Sequence, residues 1–252
     1  MEEPRGQELV RRYKANYGIA SDCMVTEEMI LRHWEMEKRL RKRLLDSTPS
    51  DRWETFEECY GELYGELDWL NRLVDSDVAD SPSILCRTWA DVIGQPPMRI
   101  YEIGSGEAEL AYYLASRGFL VKATEITRER GEKWAPSHPN LSWGVSDGVH
   151  LDRFEGKTSY DVVISNQVIE HLHPDDLPHH LLGVFSILSK GGRYILSTPH
   201  VAAGPSDVSR VFKRDTPMGT HLKEYSHCEL ARSLRKAGFG RIEAVFRLPP
   251  GA

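Results

Sequence analysis

Beyond residue 97 short apolar runs alternate with stretches of helical period, and this alternation limits the fold more than any other feature of the sequence. Met98 to Ile103, Leu120 to Thr124, Leu141 to Val145, Tyr160 to Ser165 and Arg193 to Thr198 are short and rich in β-branched or aromatic residues. That is the pattern of strands covered on both faces. Between them, Ala108 to Arg117, Thr127 to Trp134, Pro174 to Leu188 and His227 to Ala237 read as helices, and Arg241 to Leu248 reads as one further strand. Strands that alternate with helices join by right-handed crossovers. The fold class expected is therefore α/β, a doubly wound and mostly parallel sheet, whose ligands bind outside the carboxyl ends of the strands.

The first 94 residues follow a different period. From Glu8 to about Ile93 apolar residues recur at three-to-four spacing, as in Met29, Ile30, Trp34, Leu40, Leu44 and then Phe56, Tyr60, Leu63, Tyr64, Leu67, Leu70 and Leu73. Thr26, and Ser50 or Asp51, stand where N-caps are needed, and Ser47-Thr48-Pro49 ends a helix. Gly94-Gln95-Pro96-Pro97 is a turn-rich hinge. Two segments are expected: a helical cap or lid over 1–94 and a ligand-binding domain over 95–252. Tyr13, Tyr17, Trp34, Tyr60 and Tyr64 are candidate pocket residues of the lid, although helical aromatics more often fill a core.

Composition narrows the setting. A formal net charge of -6 argues against a nucleic-acid partner, which needs a concentrated basic surface; Lys38 to Arg43 is one candidate for a local basic patch. No run approaches the ~18 apolar residues of a membrane span, and the first residues lack the layout of a signal peptide, so a cytoplasmic protein is expected. Cys23, Cys59, Cys86 and Cys228 include no Cys-x-x-Cys pair, which points to reduced thiols rather than a zinc ribbon or redox dithiol.

The strand ends carry the chemistry. Glu102 closes the first strand and is followed by Gly104-Ser105-Gly106, where missing side chains let backbone N–H groups and the next helix N-terminus approach a ligand. Glu125 ends the second strand, where a carboxylate can accept hydrogen bonds from ribose hydroxyls; Ile126 comes next. Asp147-Gly148 follows the third strand, and Ser165-Asn166-Gln167 ends the fourth. A dinucleotide oxidoreductase shares the glycine turn and the ribose acid, but Glu109 stands where its third glycine would be.

Taken together, residues 98 to about 248 resemble the class I, Rossmann-like S-adenosylmethionine (SAM)-dependent methyltransferases. Tyr101-Glu102-Ile103-Gly104-Ser105-Gly106-Glu107-Ala108 looks like their first motif, with Ala108 in place of the third glycine. Tyr160 to Leu172 looks like their fourth motif, and Leu188 to Arg193 like the turn before their fifth strand. The resemblance implies SAM as cofactor, held by Glu102, Gly104, Ser105, Gly106, Glu125, Ile126, Asp147, Gly148, Asn166 and Gln167. Asp147-Gly148 would meet the adenine, and Asn166 and Gln167 would lie beside the methionine moiety.

Methyl transfer is an in-line displacement from an activated sulfonium, so the protein must chiefly align the acceptor and manage its proton. His171, His200 and His221 are the candidate general bases, since imidazole titrates near neutral pH. Glu170, His171 and His221 are alternatively a two-His, one-carboxylate site for a divalent or iron-type metal. Gln167-x-x-Glu170-His171 with His221 downstream resembles the Glu-x-x-Glu-His plus distant His of metal-dependent 2′-O-methyltransferases of small RNAs, with Gln167 in place of their first glutamate; ubiquinone-pathway O-methyltransferases carry a similar motif. A plain helix-start acid at Glu170 with a packed His171 explains the dipeptide equally well. His173, in His-Pro-Asp-Asp, reads as loop and helix start rather than ligand.

The irregular segment Val201 to Tyr225 is expected to close over the acceptor, with Arg210, Arg214 and Lys223 available to an anionic one. A small-molecule O-methyltransferase of biosynthetic metabolism, free or as a homodimer, is the leading expectation. A metal-independent N-methyltransferase, an RNA 2′-O-methyltransferase and a non-catalytic cofactor-binding partner are the alternatives.

Overall fold

The computed structural model describes residues 3–74, 84–128 and 137–245. After the hinge come β1 (Arg99–Ile103), α6 (Glu109–Ser116), β2 (Leu120–Glu125), β3 (Leu141–Val145), β4 (Tyr160–Asn166), α7 (Leu177–Ile187), β5 (Leu188–Ser197) and α8 (His227–Lys236). Before it come α1 (Gly6–Tyr17), α2 (Glu27–Asp46), α3 (Arg52–Glu66), α4 (Asp68–Val74) and α5 (Ile84–Ile93). The five strands form one all-parallel sheet in the order β3-β2-β1-β4-β5. The order in which strands are added reverses between β1 and β4, which opens a crevice at their carboxyl ends.

Side chains alternate across the sheet as a period of two requires. Ile100, Val162 and Ile164 pack with α5 and α6, whereas Tyr101, Ile103 and Val163 pack with α7 on the opposite face. Helix α8 joins that second face through Leu230 and Leu234. It is started by a reciprocal capping box, in which Ser226 Oγ accepts from Glu229 N–H and the Glu229 carboxylate accepts from Ser226 N–H.

Helices α1 and α2 enclose a separate apolar cluster with Val208, Val211 and Phe212. Trp34 stacks on Phe212 with ring centroids 4.6 Å apart. Helices α2 and α3 pack in turn on Leu222 and Ile126. The N-terminal helices thus lie against the loops that leave the strand ends. Thr26 caps α2 as expected, accepting from Met29 N–H, but Asp51 makes no capping bond and instead accepts from Thr48 N–H. Thr48 and Pro49 form a turn there that takes up the carboxylate.

Some expectations change. β5 begins at Leu188, directly after α7, because Tyr160 pairs with Leu188 before the register shifts to Val162 with Arg193. Residues 241–245 form no strand; the rest of the strand expected over Arg241 to Leu248, and the helix expected over Thr127 to Trp134 beyond Arg128, lie outside the described residues. Among the described residues no helix is long and apolar enough to cross a membrane. The basic run of α2 is spent within the chain, on Glu35, Glu62, Asp46 and Glu58 and, for Arg41, on backbone carbonyls.

Candidate active site

Parallel register brings the expected strand ends level with one another. Ile103 lies beside Thr124 and Ser165, Glu125 beside Val145, and Asn166 beside Ser197. The turn after β1 then folds into the crevice: Ser105 N–H donates to Thr124 C=O at 2.9 Å and Gly106 N–H to Glu125 Oε1 at 2.7 Å. Gly104 has φ of 66°, and a Cβ there would stand 2.7 Å from Val168 Cγ2, so only glycine fits. Ala108 also adopts a left-handed backbone, φ 61°, so replacing the third glycine of the motif costs backbone energy as well as space.

Two buried polar atoms in this cradle have no partner among the described residues, Glu102 Oε2 and Ser105 Oγ. Burial, reinforced by the charge of Glu125, pushes the Glu102 carboxyl up to about 8. A stranded carboxyl of this kind suits a ligand that brings a positive charge and hydrogen-bond donors, as the amino-acid end of SAM does. The residues present therefore fit the cofactor. Asp147 is turned inward to its own loop: Oδ1 accepts from Val149 and His150 N–H, and Oδ2 pairs with His150 Nδ1 at 2.8 Å. Asn166 accepts from Ser197 Oγ at 2.5 Å.

Beside the cradle, one ligand atom from each of Glu170, His171 and His221 lies within 4.8 Å of the others. Glu170 is fully buried; Oε2 accepts from Thr198 Oγ1 at 2.9 Å and Oε1 has no partner. Burial raises its carboxyl. His171 Nδ1 lies 3.1 Å from Thr220 C=O. A carbonyl only accepts, so Nδ1 carries the proton and the Nε2 lone pair is left for the site. His221 Nδ1 is 2.8 Å from Glu224 Oε1, which leaves its Nε2 open in the same way. The two rings meet edge to face at 4.7 Å.

Their electrostatics diverge. Burial, with the neighbouring His221, pushes His171 down to about 3. Burial would also lower His221, but its bond to Glu224 and the charges of Glu170 and Asp207 outweigh it, and the net shift is upward. From α3 the Tyr60 ring stands edge-on to His171 at 6.0 Å, with its buried hydroxyl unpartnered.

A family of methyltransferase domains matches residues 78–244, well over half of the chain. The chain belongs to that family. Solved structures agree on the fold. A Burkholderia thailandensis 1,6-didemethyltoxoflavin-N1-methyltransferase, solved with 1,6-didemethyltoxoflavin and S-adenosylhomocysteine, is 19% identical with a TM-score of 0.54 over 78% of this chain and 82% of that one. A SAM-dependent methyltransferase of Archaeoglobus fulgidus is 18% identical, TM-score 0.52, over 64% and 70%. A protein of Anabaena variabilis described as a methyltransferase from an antibiotic biosynthesis pathway is 18% identical, TM-score 0.50, over 61% of this chain, which spans 60% of that protein's length. No curated protein matched the sequence.

Within this methyltransferase domain the structure brings together Glu102, Gly104 to Gly106 and Glu125 around the cradle, and Glu170, His171 and His221 beside it. It does not bring the other candidates into the second group. Gln167 is exposed, at φ 57°, with its carboxamide donating to Ser197 Oγ at 3.3 Å. His200 caps a turn through Ala202 N–H and packs on His227 with the rings tilted and their centroids 4.6 Å apart. His173 accepts from Asp175 N–H, as its reading as a helix start requires. Arg214 pairs with Glu3, its buried Nε having no partner among the described residues, and Lys223 pairs with Glu229 at 3.5 Å. Tyr13 and Trp34 are core, while Tyr60 reaches the site. Sequence reasoning missed Thr198, Thr220 and Glu224. Glu224 had a signal, its place three residues after His221; the other two contribute to the site only through contacts made by the fold.

Proposed function

We propose that this domain transfers the methyl group of SAM to a hydroxyl of a small molecule, with a divalent or iron-type metal held by Glu170, His171 and His221. One observation carries the reading: one ligand atom from each of Glu170, His171 and His221 lies within 4.8 Å of the others, while each imidazole Nδ1 and one Glu170 oxygen are held by neighbouring groups. Anchored Nδ1–H groups are what orient metal-binding histidines, and two histidines with one carboxylate leave coordination positions open. A metal held there supplies positive charge that favours the deprotonated form of a hydroxyl acceptor.

The chain's own residues do the rest. Glu102, Ser105 and the Gly104 to Gly106 turn bind and orient the donor, with Glu125 suited to the ribose. In the transfer, the acceptor hydroxyl gives up its proton to water and its oxygen bonds to the methyl carbon as the sulfur–carbon bond breaks, releasing S-adenosylhomocysteine. The helical cap over 1–94 serves as a lid, excluding water through α2 and α3 and presenting the Tyr60 hydroxyl to the acceptor.

A second reading is favoured by the His221–Glu224 bond alone: without metal, His221 takes the acceptor proton at Nε2 while Glu224 holds its Nδ1–H. Tritiated SAM incubated with a low-molecular-weight metabolite fraction, with and without chelator, separates the two. Label in a neutral hydroxyl-derived ether, lost on chelation and restored by added metal, supports metal-assisted O-methylation. Transfer that survives chelation supports the metal-free base, and label only in amines or RNA overturns the O-methyl, small-molecule assignment.

A further inference from the structure

A buried polar chain runs from the N-terminal helices into the catalytic loop. The Tyr13 hydroxyl lies 2.7 Å from His33 Nδ1, and His33 Nε2 lies 2.7 Å from Glu37 Oε1. The other oxygen of Glu37 accepts from Thr220 N–H at 2.9 Å, and the carbonyl of the same Thr220 accepts from His171 Nδ1–H at 3.1 Å. Tyr13, His33, Glu37 and Thr220 are all buried. One residue further along is His221.

Helix α2 holds the same loop a second time from the next turn of the same face. Arg41, one turn beyond Glu37, donates to the carbonyls of His221 at 2.6 Å and Leu222 at 3.2 Å. The carboxylate of Asp207 adds a bond from Gly219 N–H at 2.9 Å. Gly219 is pinched between the two acids: a Cβ there would fall 2.1 Å from Glu37 Oε2 and 2.7 Å from Asp207 Oδ2. A carboxylate in so dry a place is costly unless its oxygens are bonded. Both are: Oε1 is held by His33, and Oε2 accepts from the N–H of Thr220, the residue whose carbonyl anchors His171.

We infer that Glu37 is a positioning residue for methyl transfer: by gripping the Thr220 peptide it fixes the tautomer of His171 and the placement of His221. The helical cap is thereby part of the catalytic machinery and not only a cover. The inference rests on the reading that His171 and His221 act in the reaction, and it deepens that reading by naming what aligns them.

The test uses the full chain. Histidine-selective long-range proton–nitrogen NMR of the metal-free protein reads the tautomer of His171 directly, and titration with cobalt(II) reads metal affinity and ligand field. In Glu37→Ala the Nδ1–H state of His171 gives way to a mixture, and cobalt binds about tenfold or more weakly, the size seen when a residue supporting a metal ligand is removed. Affinity for S-adenosylhomocysteine, bound in the other half of the crevice, stays unchanged, which a general loss of structure would not allow. Glu37→Gln keeps an acceptor for Thr220 N–H and restores the tautomer.

Should Glu37→Ala fail to fold because His33 is stranded, the triple variant Tyr13→Phe, His33→Leu, Glu37→Met replaces the whole chain by apolar groups, which is far less costly than leaving one member unpaired. It must show the same NMR change. Gly219→Ala, which displaces Glu37 without altering it, must do so too. A native His171 tautomer in these variants overturns the inference. Absence of cobalt binding by the unmodified protein counts against the metal and not against the positioning, which the metal-free spectra decide.

Discussion

Single residues in the cradle trade stability for a ligand. Glu102 is buried with an unpartnered oxygen, and its carboxyl lies near 8 instead of 4.5. Between those values the folded chain binds a proton that the unfolded chain has released, so this residue makes stability fall as pH rises through that window. Glu102→Gln is therefore expected to raise the melting temperature of the ligand-free protein more at pH 8 than at pH 5, while weakening S-adenosylhomocysteine binding in calorimetry. An equal change at both pH values would contradict the assignment. Gly104→Asp adds a side chain at φ 66° against Val168; cofactor binding should be lost while the far-ultraviolet circular dichroism persists. Both residues were legible in the sequence, because a strand end followed by a glycine turn is a local pattern. Ala108 was legible only in part: its methyl could be read, its left-handed backbone could not.

Elements show how the fold holds irregular chain in place. The segment from Val201 to Tyr225 contains two short 3-10 turns, Val201–Ala203 and Val208–Arg210, and lies against α1 and α2. Arg12 on α1 donates to Val211 C=O at 2.8 Å and to Arg210 C=O at 2.7 Å, and Phe212 is inserted against Trp34. Phe212→Ala should cost about 3–5 kcal/mol of stability in denaturant unfolding, the usual price of emptying a buried aromatic site. The loss should also loosen the loop that carries His221, so cobalt affinity falls with it. Element types were readable from period, and α6, α7 and α8 fall within the expected spans. The start of β5 was not, because Gly191-Gly192 reads locally as a turn while the neighbouring β4 draws Leu188 into pairing.

At the scale of the molecule, the ligand should act as a structural member. The proposed crevice draws on β1, β2 and β4, and Glu102 Oε2, Ser105 Oγ and Glu170 Oε1 have no partner there among the described residues. S-adenosylhomocysteine at 100 times its dissociation constant contributes about 2.7 kcal/mol by mass action. For a chain of this size that raises the melting temperature by roughly 5–10 °C. No rise in a calorimetric scan would refute the cofactor site as a whole.

The sequence by itself determined the sheet, its strand ends and the cofactor cradle, since strand period, glycine turns and the acids that follow them are written within a few residues of one another. It also offered Glu170, His171 and His221 as one group. Only the tertiary structure decided how close these three stand, that His200 packs on His227 instead, that Gln167 turns away to Ser197, and that Glu37 holds the Thr220 N–H from 183 positions away. The reason is physical: local pattern reports backbone preference and burial, whereas a site assembled from distant loops depends on which surfaces pack, and that is settled by the whole core at once.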